Sequence, residues 1–485
     1  MLSPQTPKSV LVIGGGPSGL TALRNLVERG HIERVGLVER RDEIGGVWYI
    51  NQDDPGQHQA HSKPRWPSPA YPGLVGNIVP QFLSISECPF PDRSIEYPHQ
   101  PFPTLDETCA YLRSFAEPFI KSGHIRLNWE VTRVEEQDEG GSGGGKGWKV
   151  YLRNWNRETG EEEDVEYWDA VVVAVGWYDN PVWPDTDGLD ELKSKGLAMH
   201  AKDWKGPKGY EDKRVLIVGN AASSNDIAAY LAPVAKAPIF QSIRRPAFPG
   251  FPSLPDDRIK MTAPVVKYSI QETSPLTPVV EATLNDGTVI SDIDVVLFGT
   301  GYGPYPSFVH VLKQDNDNPS RRLLAPLASR SIKPYRVPSI HRHILYAYNP
   351  TLAFIGLPMS FTPFTIADIA STWLALAWSQ ACSSRPLFPE TTQGRLEFER
   401  ERLKTLEEWL SKTENPTSFL AYSVLASDEQ NYASQLRKDV VDVRPDLDGV
   451  LPMWSDEKTK EREAMYPLKL QVLQYEKDHA AGPGM

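Results

Sequence analysis

Three glycines near the amino terminus place the strongest restriction on how this 485-residue chain can fold. Gly14, Gly16 and Gly19 follow a short apolar run, Val10 to Ile13, and precede a segment with helical spacing, Leu20 to Arg29. In a dinucleotide-binding unit the first glycine allows the tight turn, the second lets a pyrophosphate approach the backbone, and the third lets the helix pack on the strand. The start of the helix offers backbone amides and a positive dipole to the phosphates. The pattern therefore predicts a Rossmann-like dinucleotide site at the start of the chain.

A carboxylate follows this loop at the spacing that such a site requires. Glu39 lies 20 residues beyond Gly19, directly after a second apolar run, Val35 to Val38. A carboxylate at the end of the second strand can accept hydrogen bonds from the ribose hydroxyls. We therefore expect Glu39 to bind the ribose, and we place Ser18, inside the loop, among the residues that contact the same cofactor.

The same order of elements returns in the middle of the chain, with a less regular loop. The strand pattern Val215 to Val218 ends at Gly219, but alanine and serine stand at the other two glycine positions. Small residues still permit close packing, and the hydroxyls of Ser223 and Ser224 can donate to a phosphate. Asp226 continues the pattern into a helix, and we place it with Gly219, Ser223 and Ser224 among the residues that contact the second cofactor. We expect a second dinucleotide site here.

The second site carries cations where the first carries Glu39. Arg244 occupies the ribose position of the second unit, beside Ser242 and Arg245. Guanidinium groups bind a 2′-phosphate through paired, charge-assisted hydrogen bonds. These residues favour NADPH over NADH as the second cofactor.

Two dinucleotide sites in one chain imply electron transfer between a nicotinamide and a flavin. We therefore expect an α/β protein with two Rossmann-like dinucleotide-binding domains. The predicted FAD domain is discontinuous, residues 1–180 and 300–485, with a helical extension at the carboxyl end. The predicted NADP domain, residues 181–299, is inserted between its two parts.

Composition restricts the compartment and the partners. The net charge of −12 and the pI near 5.4 argue against a nucleic-acid partner. The three cysteines, an odd number and widely spaced, indicate a reducing compartment without a disulfide framework. The apolar stretch Thr351 to Trp378 is broken by Pro358, Pro363 and Asp368, so no membrane span is expected. The chain is interpreted as soluble and cytoplasmic.

Several further motifs, taken in chain order, resemble those of one enzyme family. The matching segments run over roughly three quarters of the chain and are Gly45-Gly46-Val47-Trp48, Tyr71-Pro72-x-Leu74-x-x-Asn77, Gly196-x-x-x-His200-x-x-x-Trp204, Phe298-Gly299-Thr300-Gly301-Tyr302, Asn349-Pro350-Thr351 to Ile355-Gly356, and Pro363-Phe364. Together they are similar to the motifs of the flavin-containing monooxygenase family. That family is related to the Baeyer–Villiger monooxygenases.

The resemblance implies a reaction and a set of site residues. It implies that NADPH reduces FAD and that O2 adds at flavin C4a to give a hydroperoxide, which oxygenates a nucleophilic nitrogen or sulfur of a small molecule. The segment Gly46, Val47 and Trp48 then belongs to the flavin site, and Gly301 belongs to the second strand-end motif. Asn77 matches the active-site asparagine of the family, so it is implied as the catalytic residue and as a cofactor contact.

The resemblance leaves the choice of reaction open. Trp204 matches the Baeyer–Villiger enzymes, which convert a ketone to an ester or lactone, whereas Lys205 matches the branch that oxygenates nitrogen and sulfur. Ser194 stands where the signature usually has phenylalanine. A pyridine-nucleotide disulfide reductase shares the layout, but it needs a dithiol that the chain lacks. A non-catalytic, nucleotide-sensing flavoprotein is a further alternative, and a homodimer is left open.

The remaining patterns carry structure rather than chemistry. Helices are predicted over Leu105 to Ile120 and Arg395 to Leu410, the second with its leucines on one packed face. Gly140 to Gly147 is interpreted as a hairpin tip and Ala480 to Met485 as a tail. His341 and His343 lack acidic or cysteine partners at ligand spacing, so no metal site is expected.

Overall fold

The computed structural model describes residues 6–50, 65–93, 95–138, 147–157, 162–246, 248, 253–272, 278–315, 317–318, 321–379 and 386–479. In the described part of the chain the strands, in order, are β1 (Ser9–Ile13), β2 (Arg34–Glu39), β3 (Ile125–Leu127), β4 (Trp129–Gln137), β5 (Gly147–Asn154), β6 (Glu163–Trp168), β7 (Ala170–Val173), β8 (Ala198–His200), β9 (Val215–Val218), β10 (Ile239–Ser242), β11 (Ile259–Thr262), β12 (Val265–Glu272), β13 (Pro278–Leu284), β14 (Val289–Ile293), β15 (Val295–Phe298), β16 (Val309–Gln314), β17 (Arg322–Pro326), β18 (Ile340–His341), β19 (Leu345–Tyr346) and β20 (Leu352–Phe354).

The α-helices of the same ranges are α1 (Pro17–Glu28), α2 (Pro80–Leu83), α3 (Leu105–Lys121), α4 (Leu189–Ser194), α5 (Ala222–Leu231), α6 (Pro363–Ala377), α7 (Thr392–Lys412), α8 (Glu429–Val443), α9 (Asp456–Glu463) and α10 (Met465–His479). Most of the predicted hairpin tip, the predicted tail and Cys382 lie outside the described residues.

The first glycine loop lies at the edge of a seven-stranded sheet with the order β18-β19-β20-β7-β1-β2-β3. The central strand β1 pairs in parallel with β2 on one side and with β7 on the other, and all of its residues are buried. A parallel strand covered on both faces needs a continuous apolar sequence, which is why β1 lacks polar alternation. The helices α1 and α6 pack together on this sheet and share one apolar core with it.

The second glycine loop lies at the edge of a five-stranded parallel sheet with the order β11-β10-β9-β15-β8. The strand β9 pairs with β10 and with β15. Every strand of this sheet falls between residues 198 and 298, and the antiparallel sheet β12-β13-β14 belongs to the same stretch. The strands of the seven-stranded sheet come from residues 9–173 and 340–354, on both sides of this stretch.

A fourth sheet with the order β17-β16-β4-β5-β6 joins the two parts of the first unit. The strand β4 pairs antiparallel with β5 and in parallel with β16. Trp148 and Trp168 fill the core beneath this sheet and are almost fully buried.

The helix α3 confirms one prediction and shows why it begins where it does. Thr104 accepts a hydrogen bond from the Glu107 amide, and the Glu107 side chain accepts one from the Thr104 amide. This reciprocal cap satisfies amides that the first helical turn leaves without a partner. The helix spans Leu105–Lys121, close to the predicted range.

The helix α6 explains why the apolar stretch Thr351 to Trp378 contains a charged residue, Asp368. Asp368 is fully buried on this helix and accepts a hydrogen bond from Arg24 of α1 at 2.7 Å, with Arg29 3.7 Å away. Asp368 therefore joins two core helices. Within the described ranges, none of the helices combines the length and the apolar character needed to cross a bilayer.

The helix α7 corrects the prediction that its leucines form the packed face. Leu406 is buried, but Leu410 is exposed. The buried stripe consists instead of Arg395, Glu399, Arg402 and Leu406. The three charged members are buried because they bond to neighbouring loops: Arg395 to the Ala347 carbonyl, Glu399 to Arg336, and Arg402 to the Val424 carbonyl. A count of apolar residues cannot detect a stripe built from paired charges.

Candidate functional site: two glycine-lined dinucleotide cradles

The first cradle is shaped by glycines that tolerate no side chain. Gly14 has φ +109°, and a Cβ there would lie 2.7 Å from the Ala174 carbonyl oxygen. A Cβ on Gly19 would overlap the carbonyl oxygen of Gly14, so the third glycine allows α1 to pack on the strand end. These two positions have the roles that the sequence predicts for them.

Gly16 has a different role, because the protein itself leaves space beside it. It is the N-terminal capping residue of α1 in an extended conformation, and it makes no side-chain cap. A Cβ on Gly16 would be 3.6 Å from the Gly46 Cα, whereas a Cβ on Gly46 would be 2.9 Å from the Gly16 Cα. Two bare backbone segments thus face each other at an uncapped helix start, which suits a pyrophosphate.

Glu39 lies at the carboxyl end of β2, next to the loop. Its Oε2 accepts a hydrogen bond from the Gly15 amide at 2.6 Å, and its Oε1 accepts one from the Arg41 amide at 2.9 Å. The side chain is buried. This geometry holds the carboxylate beside the glycine loop, where the sequence places a ribose contact.

Arg41 is a residue of this cradle that the sequence analysis missed. Its guanidinium donates to the Gly46 carbonyl at 2.8 Å and also to the Tyr49 carbonyl. Burial lowers the pKa of Arg41. Arg41 therefore fixes the short 3-10 helix Gly46–Trp48 against β2. The sequence feature that could have indicated Arg41 is its position two residues after Glu39.

The Gly-Gly-x-Trp segment connects this cradle to α6. The Val47 carbonyl accepts a hydrogen bond from the Ser68 hydroxyl at 2.6 Å, and the Trp48 ring meets the Phe364 ring edge-on at 6.4 Å. Ser18 faces Gly356, where a Cβ would overlap its hydroxyl. The motifs from both ends of the chain therefore converge on the start of α1.

Asn77 lies on an exposed bend before α2. The backbone of its neighbour Gly76 is held on both sides: the amide donates to the Pro103 carbonyl at 2.9 Å, and the carbonyl accepts from Lys469 at 2.8 Å. The Asn77 side chain makes no hydrogen bond within the described ranges, so both ends of its amide are available.

The same segment contacts the second unit through Tyr71. Its hydroxyl donates to Asp226 of α5 at 2.9 Å. Burial raises the pKa of Asp226, while Tyr71 and Lys469 oppose that shift. Asp226, predicted to bind the second cofactor, therefore already has a partner within the protein.

The second cradle differs from the first because Ser224 stands at the position of the third glycine. Gly219 has φ +118°, and a Cβ there would lie 2.7 Å from the Gly299 carbonyl oxygen and 2.8 Å from the Ser224 hydroxyl. Ser224 is fully buried, and its hydroxyl donates to that same carbonyl at 3.3 Å. Its hydroxyl therefore packs the helix on the strand end. Ser223 is exposed in the first turn of α5, which also begins without a side-chain cap.

The residues predicted to bind the 2′-phosphate lie at the end of β10 and directly after it. Ser242 is buried, with its hydroxyl between the Ala263 carbonyl and the Val265 amide at 3.1 and 3.2 Å. Arg244 and Arg245 are exposed, and neither guanidinium forms an ion pair with a described residue. The two arginines are thus free to bind an anion, while Ser242 positions the backbone.

The signature segment between the two units forms a packed linker. The His200 Nδ1 accepts a hydrogen bond from the Lys202 amide at 3.1 Å, and burial lowers the pKa of His200 to about 4. Trp204 is 1% exposed and packs on Tyr71. Gly301 has φ +80°, and its carbonyl accepts from the Val182 amide at 2.9 Å.

Lys205 anchors the segment that precedes Asn77. Its ammonium group donates to the backbone carbonyls of Ser68, Ala70 and Lys202, the last two at 3.1 Å. No three His, Cys, Asp or Glu side chains of the described ranges are grouped in a way that could hold a metal ion.

Comparisons with known proteins agree with this arrangement. The family model described as "Flavin-binding monooxygenase-like" matches residues 7–248. The chain is 30% identical over 391 residues to "Flavin-containing monooxygenase FMO GS-OX-like 2" of Arabidopsis thaliana, which covers 78% of this chain and 75% of that protein. It is 29% identical over 388 residues to "Flavin-containing monooxygenase FMO GS-OX-like 7" of the same plant, covering 77% and 73%.

Solved structures share the fold. The S-allyl-L-cysteine S-oxygenase from Allium sativum superposes with a TM-score of 0.68 at 23% identity, covering 99% of this chain and 95% of that chain. The open form of cyclohexanone monooxygenase gives a TM-score of 0.55 at 14% identity, covering 90% and 98%. These likenesses confirm the α/β fold with two dinucleotide-binding units. Taken with the identity to the Arabidopsis enzymes, the two glycine cradles and the motifs joined at α1 lead to one conclusion: this chain belongs to the flavin-containing monooxygenase family and is an FAD- and NADPH-dependent monooxygenase.

Proposed function

We propose that this monooxygenase oxygenates a nucleophilic sulfur or nitrogen atom of a small molecule. The observation that carries the proposal is the environment of Trp204 and Lys205. Trp204 resembles the Baeyer–Villiger branch, but its ring is buried in the linker core. Lys205 resembles the nitrogen- and sulfur-oxygenating branch, and its ammonium group holds the segment that leads to Asn77. Both residues contact the segment that leads to Asn77, Trp204 through the Tyr71 ring and Lys205 through hydrogen bonds to backbone carbonyls. The residue that fixes the backbone of this segment is the one that favours sulfur or nitrogen.

The similarity to solved enzymes supports the same choice. The Allium protein is named as an S-oxygenase and superposes over 99% of this chain with a TM-score of 0.68. The open and closed forms of cyclohexanone monooxygenase give TM-scores of 0.55 and 0.56. We take sulfur as the first atom to test.

The first cradle suits FAD. Gly14, Gly16 and Gly19 would hold its pyrophosphate at the uncapped start of α1, and Glu39 would bind its ribose. The flavin, reduced by NADPH, supplies the activation of O2. Gly46, Val47 and Trp48 form the adjoining wall and, together with Ser18, complete the proposed FAD set.

The second cradle suits NADPH. Gly219, at φ +118°, allows the tight turn before α5, and Ser223 lies at the uncapped start of this helix. Arg244 and Arg245 are proposed to bind the 2′-phosphate. Ser224, Ser242, Asp226 and Gly301 belong to the proposed set as residues that shape this cradle. We also propose the domain division 1–180 with 300–485 and 181–299. The distribution of the strands between the mixed seven-stranded sheet and the parallel five-stranded sheet supports it.

Asn77 is proposed as the catalytic residue. Its amide has no partner among the described side chains, and it can donate and accept at once. The backbone that leads to Asn77 is anchored at Ala70 by Lys205 and at Gly76 by Lys469. The protein can therefore present a free amide from a fixed loop.

Parallel incubations test the reaction type. Purified protein loaded with FAD is given NADPH, air and one of three compounds: S-allyl-L-cysteine, N,N-dimethylbenzylamine or cyclohexanone. Mass spectrometry then measures the gain of one oxygen atom. The proposal expects the sulfoxide or the N-oxide. A lactone from cyclohexanone, with no product from the other two compounds, would contradict the proposal and show a Baeyer–Villiger reaction.

A further inference from the structure

A cavity of about 300 Å³ lies between the start of α6, the segment around α2 and the carboxyl-terminal helices. Its walls come from residues 81–86, from Thr362 and Thr365, and from residues 450–462. This volume is at the lower end of ordinary small-molecule pockets. Two of its three walls lie outside residues 7–248, the part that the family model matches.

The side chains that line this cavity are cationic or neutral. Arg462 and Lys458 contribute two positive charges, and the remaining wall residues include no carboxylate. Hydroxyl groups of Ser84, Thr362 and Thr365 supply neutral hydrogen-bonding groups. In a chain with a net charge of −12, a pocket lined only by cations and neutral groups favours an anionic ligand.

Arg462 is built into the wall of this cavity. Its side chain is 7% exposed, and its Nε has no hydrogen-bond partner among the residues that the structure describes. The nearest carboxylates, Glu429 and Glu463, lie 3.7 and 4.0 Å from its terminal nitrogens, beyond hydrogen-bond distance. A buried donor without a partner is costly, and a ligand acceptor would remove that cost.

Glu429 does not neutralise this guanidinium through a hydrogen bond, because its oxygens have other partners. One oxygen accepts from the Phe361 amide and the other from the Thr362 hydroxyl, the latter at 2.6 Å. Burial raises the pKa of Glu429, and Arg462 is among the groups that oppose that shift. The two side chains lie 3.7 Å apart without a hydrogen bond, so the Arg462 Nε keeps a donor that a ligand can use.

Part of the wall is apolar, and the wall also includes the residue at the start of α6, the helix that contacts the proposed flavin wall. Phe82, Ile85, Met453 and Trp454 line the cavity. Thr362 also lines it and caps α6, whose Phe364 contacts Trp48 of the Gly-Gly-x-Trp segment. The cavity and the proposed flavin wall thus share the first turn of one helix.

We propose that this cavity binds the substrate as an organic anion with an apolar body, and that Arg462 binds its carboxylate or other anionic group. This inference rests on the proposed oxygenation of sulfur or nitrogen and names the substrate class. Lys458, on the same face of α9, also lines the cavity, and its ammonium group pairs with Glu461 at 2.7 Å. The apolar wall holds the part of the substrate that carries the reacting atom.

A matched pair of thioethers tests the inference: (benzylthio)acetate and its neutral counterpart (benzylthio)acetamide. Losing a charge-assisted hydrogen bond lowers affinity by about ten- to a hundredfold. In Arg462→Met we therefore expect the KM of the acid to rise about ten- to a hundredfold, with its kcat and the KM of the amide little changed. Equilibrium dialysis of the acid against FAD-loaded enzyme without NADPH should show the same loss of affinity.

Three further variants accompany the test. Arg462→Lys keeps the charge and should retain the preference for the acid. Lys458→Glu changes a half-exposed side chain and should raise the KM of the acid alone. Arg444→Met, which removes a cation outside the cavity, should change neither compound.

The outcomes separate the two proposals. If neither thioether, nor any amine, gains oxygen although NADPH is consumed, the proposed function fails. If wild-type enzyme oxygenates both thioethers equally well and Arg462→Met treats them alike, the inference is overturned while the proposed function stands. If Arg462→Met does not fold, an unchanged KM for the acid in Lys458→Glu overturns the inference.

Discussion

Gly16 has a backbone conformation that any residue can adopt, yet it faces a second glycine across the start of α1. The space beside it is open in the protein, so a small side chain can fit without moving the fold. A pyrophosphate needs that same space. Gly16 therefore separates cofactor binding from folding better than Gly14 or Gly19, whose substitution would strain the backbone or clash with it.

Gly16→Val should abolish FAD binding and leave the fold intact, because the valine fills the cradle. The flavin absorbance of the purified protein measures occupancy, and circular dichroism measures folding. Gly449→Ala is the control and should retain FAD, because an added Cβ at Gly449 would have no neighbour within 4 Å. A folded Gly16→Val protein with full flavin content would contradict the FAD assignment.

Arg244→Ala should weaken NADPH binding and hardly affect NADH. Losing a charge-assisted contact with a phosphate costs about 1.5–3 kcal/mol, or about ten- to a hundredfold in affinity. The KM values for flavin reduction by each nicotinamide measure the effect. Arg258→Ala, an exposed arginine paired with Asp256, serves as the control. Equal losses for NADPH and NADH would show that Arg244 does not bind the 2′-phosphate.

Asn77→Asp should uncouple NADPH consumption from product formation. The change keeps the size but removes a donor and adds negative charge, which is unfavourable at the proposed catalytic position beside the cofactors. We expect FAD content and anaerobic reduction by NADPH to survive, while hydrogen peroxide replaces the oxygenated product under air. Full coupling in this variant would reduce Asn77 to a turn residue.

Elements differ in how well the sequence predicts them. The strands β1, β9 and β15 follow directly from short apolar runs that end in glycine, and both glycine loops lie where the motifs place them. The sequence-based prediction of the buried face of α7 was wrong because the charged residues of that face bond to loops that are far away in sequence. The contacts of Glu429 were missed for the same reason, since its partners Phe361 and Thr362 lie more than 60 residues away. Those of Arg41 were missed because its partners are nearby backbone carbonyls, which no residue type reveals.

Lys205→Met should loosen the segment Ser68–Tyr71 without unfolding the linker. The variant loses a charged donor shared by three carbonyls, and the cost of about 1.5 kcal/mol corresponds to about tenfold less protection of this segment. Hydrogen–deuterium exchange of peptides covering residues 65–79 measures it. Lys205→Arg should restore much of the protection. Unchanged exchange in Lys205→Met would show that the lysine does not hold the segment.

On the scale of the whole molecule, buried neutral histidines should make stability depend on pH. Burial lowers the pKa of His200 and His341 to about 4 and that of His343 to about 3. The unfolded chain binds a proton near pH 6.5, and the folded chain binds it only at lower pH. Stability is therefore present above pH 6.5 and is lost as pH falls toward 4, by about 2 kcal/mol per histidine between pH 7 and 5.

Urea unfolding of wild type and His343→Leu at pH 7 and pH 5 checks this expectation. His343 is 2% exposed and lies among aromatic rings, so leucine can replace it there. The variant should lose about 2 kcal/mol less than wild type between the two pH values. Equal losses would show that His343 does not titrate on unfolding.

The two cradles and the linker describe one enzyme that passes electrons from NADPH through FAD to O2. The stoichiometry of that transfer is the most direct test of whether the enzyme couples NADPH consumption to oxygenation. FAD-loaded wild-type enzyme is mixed with S-allyl-L-cysteine, NADPH and air, and the consumed NADPH, the sulfoxide and the hydrogen peroxide are measured together. We expect close to one molecule of sulfoxide for each NADPH consumed, with little hydrogen peroxide. NADPH consumption that yields only hydrogen peroxide, with every thioether and amine tested, would contradict this expectation.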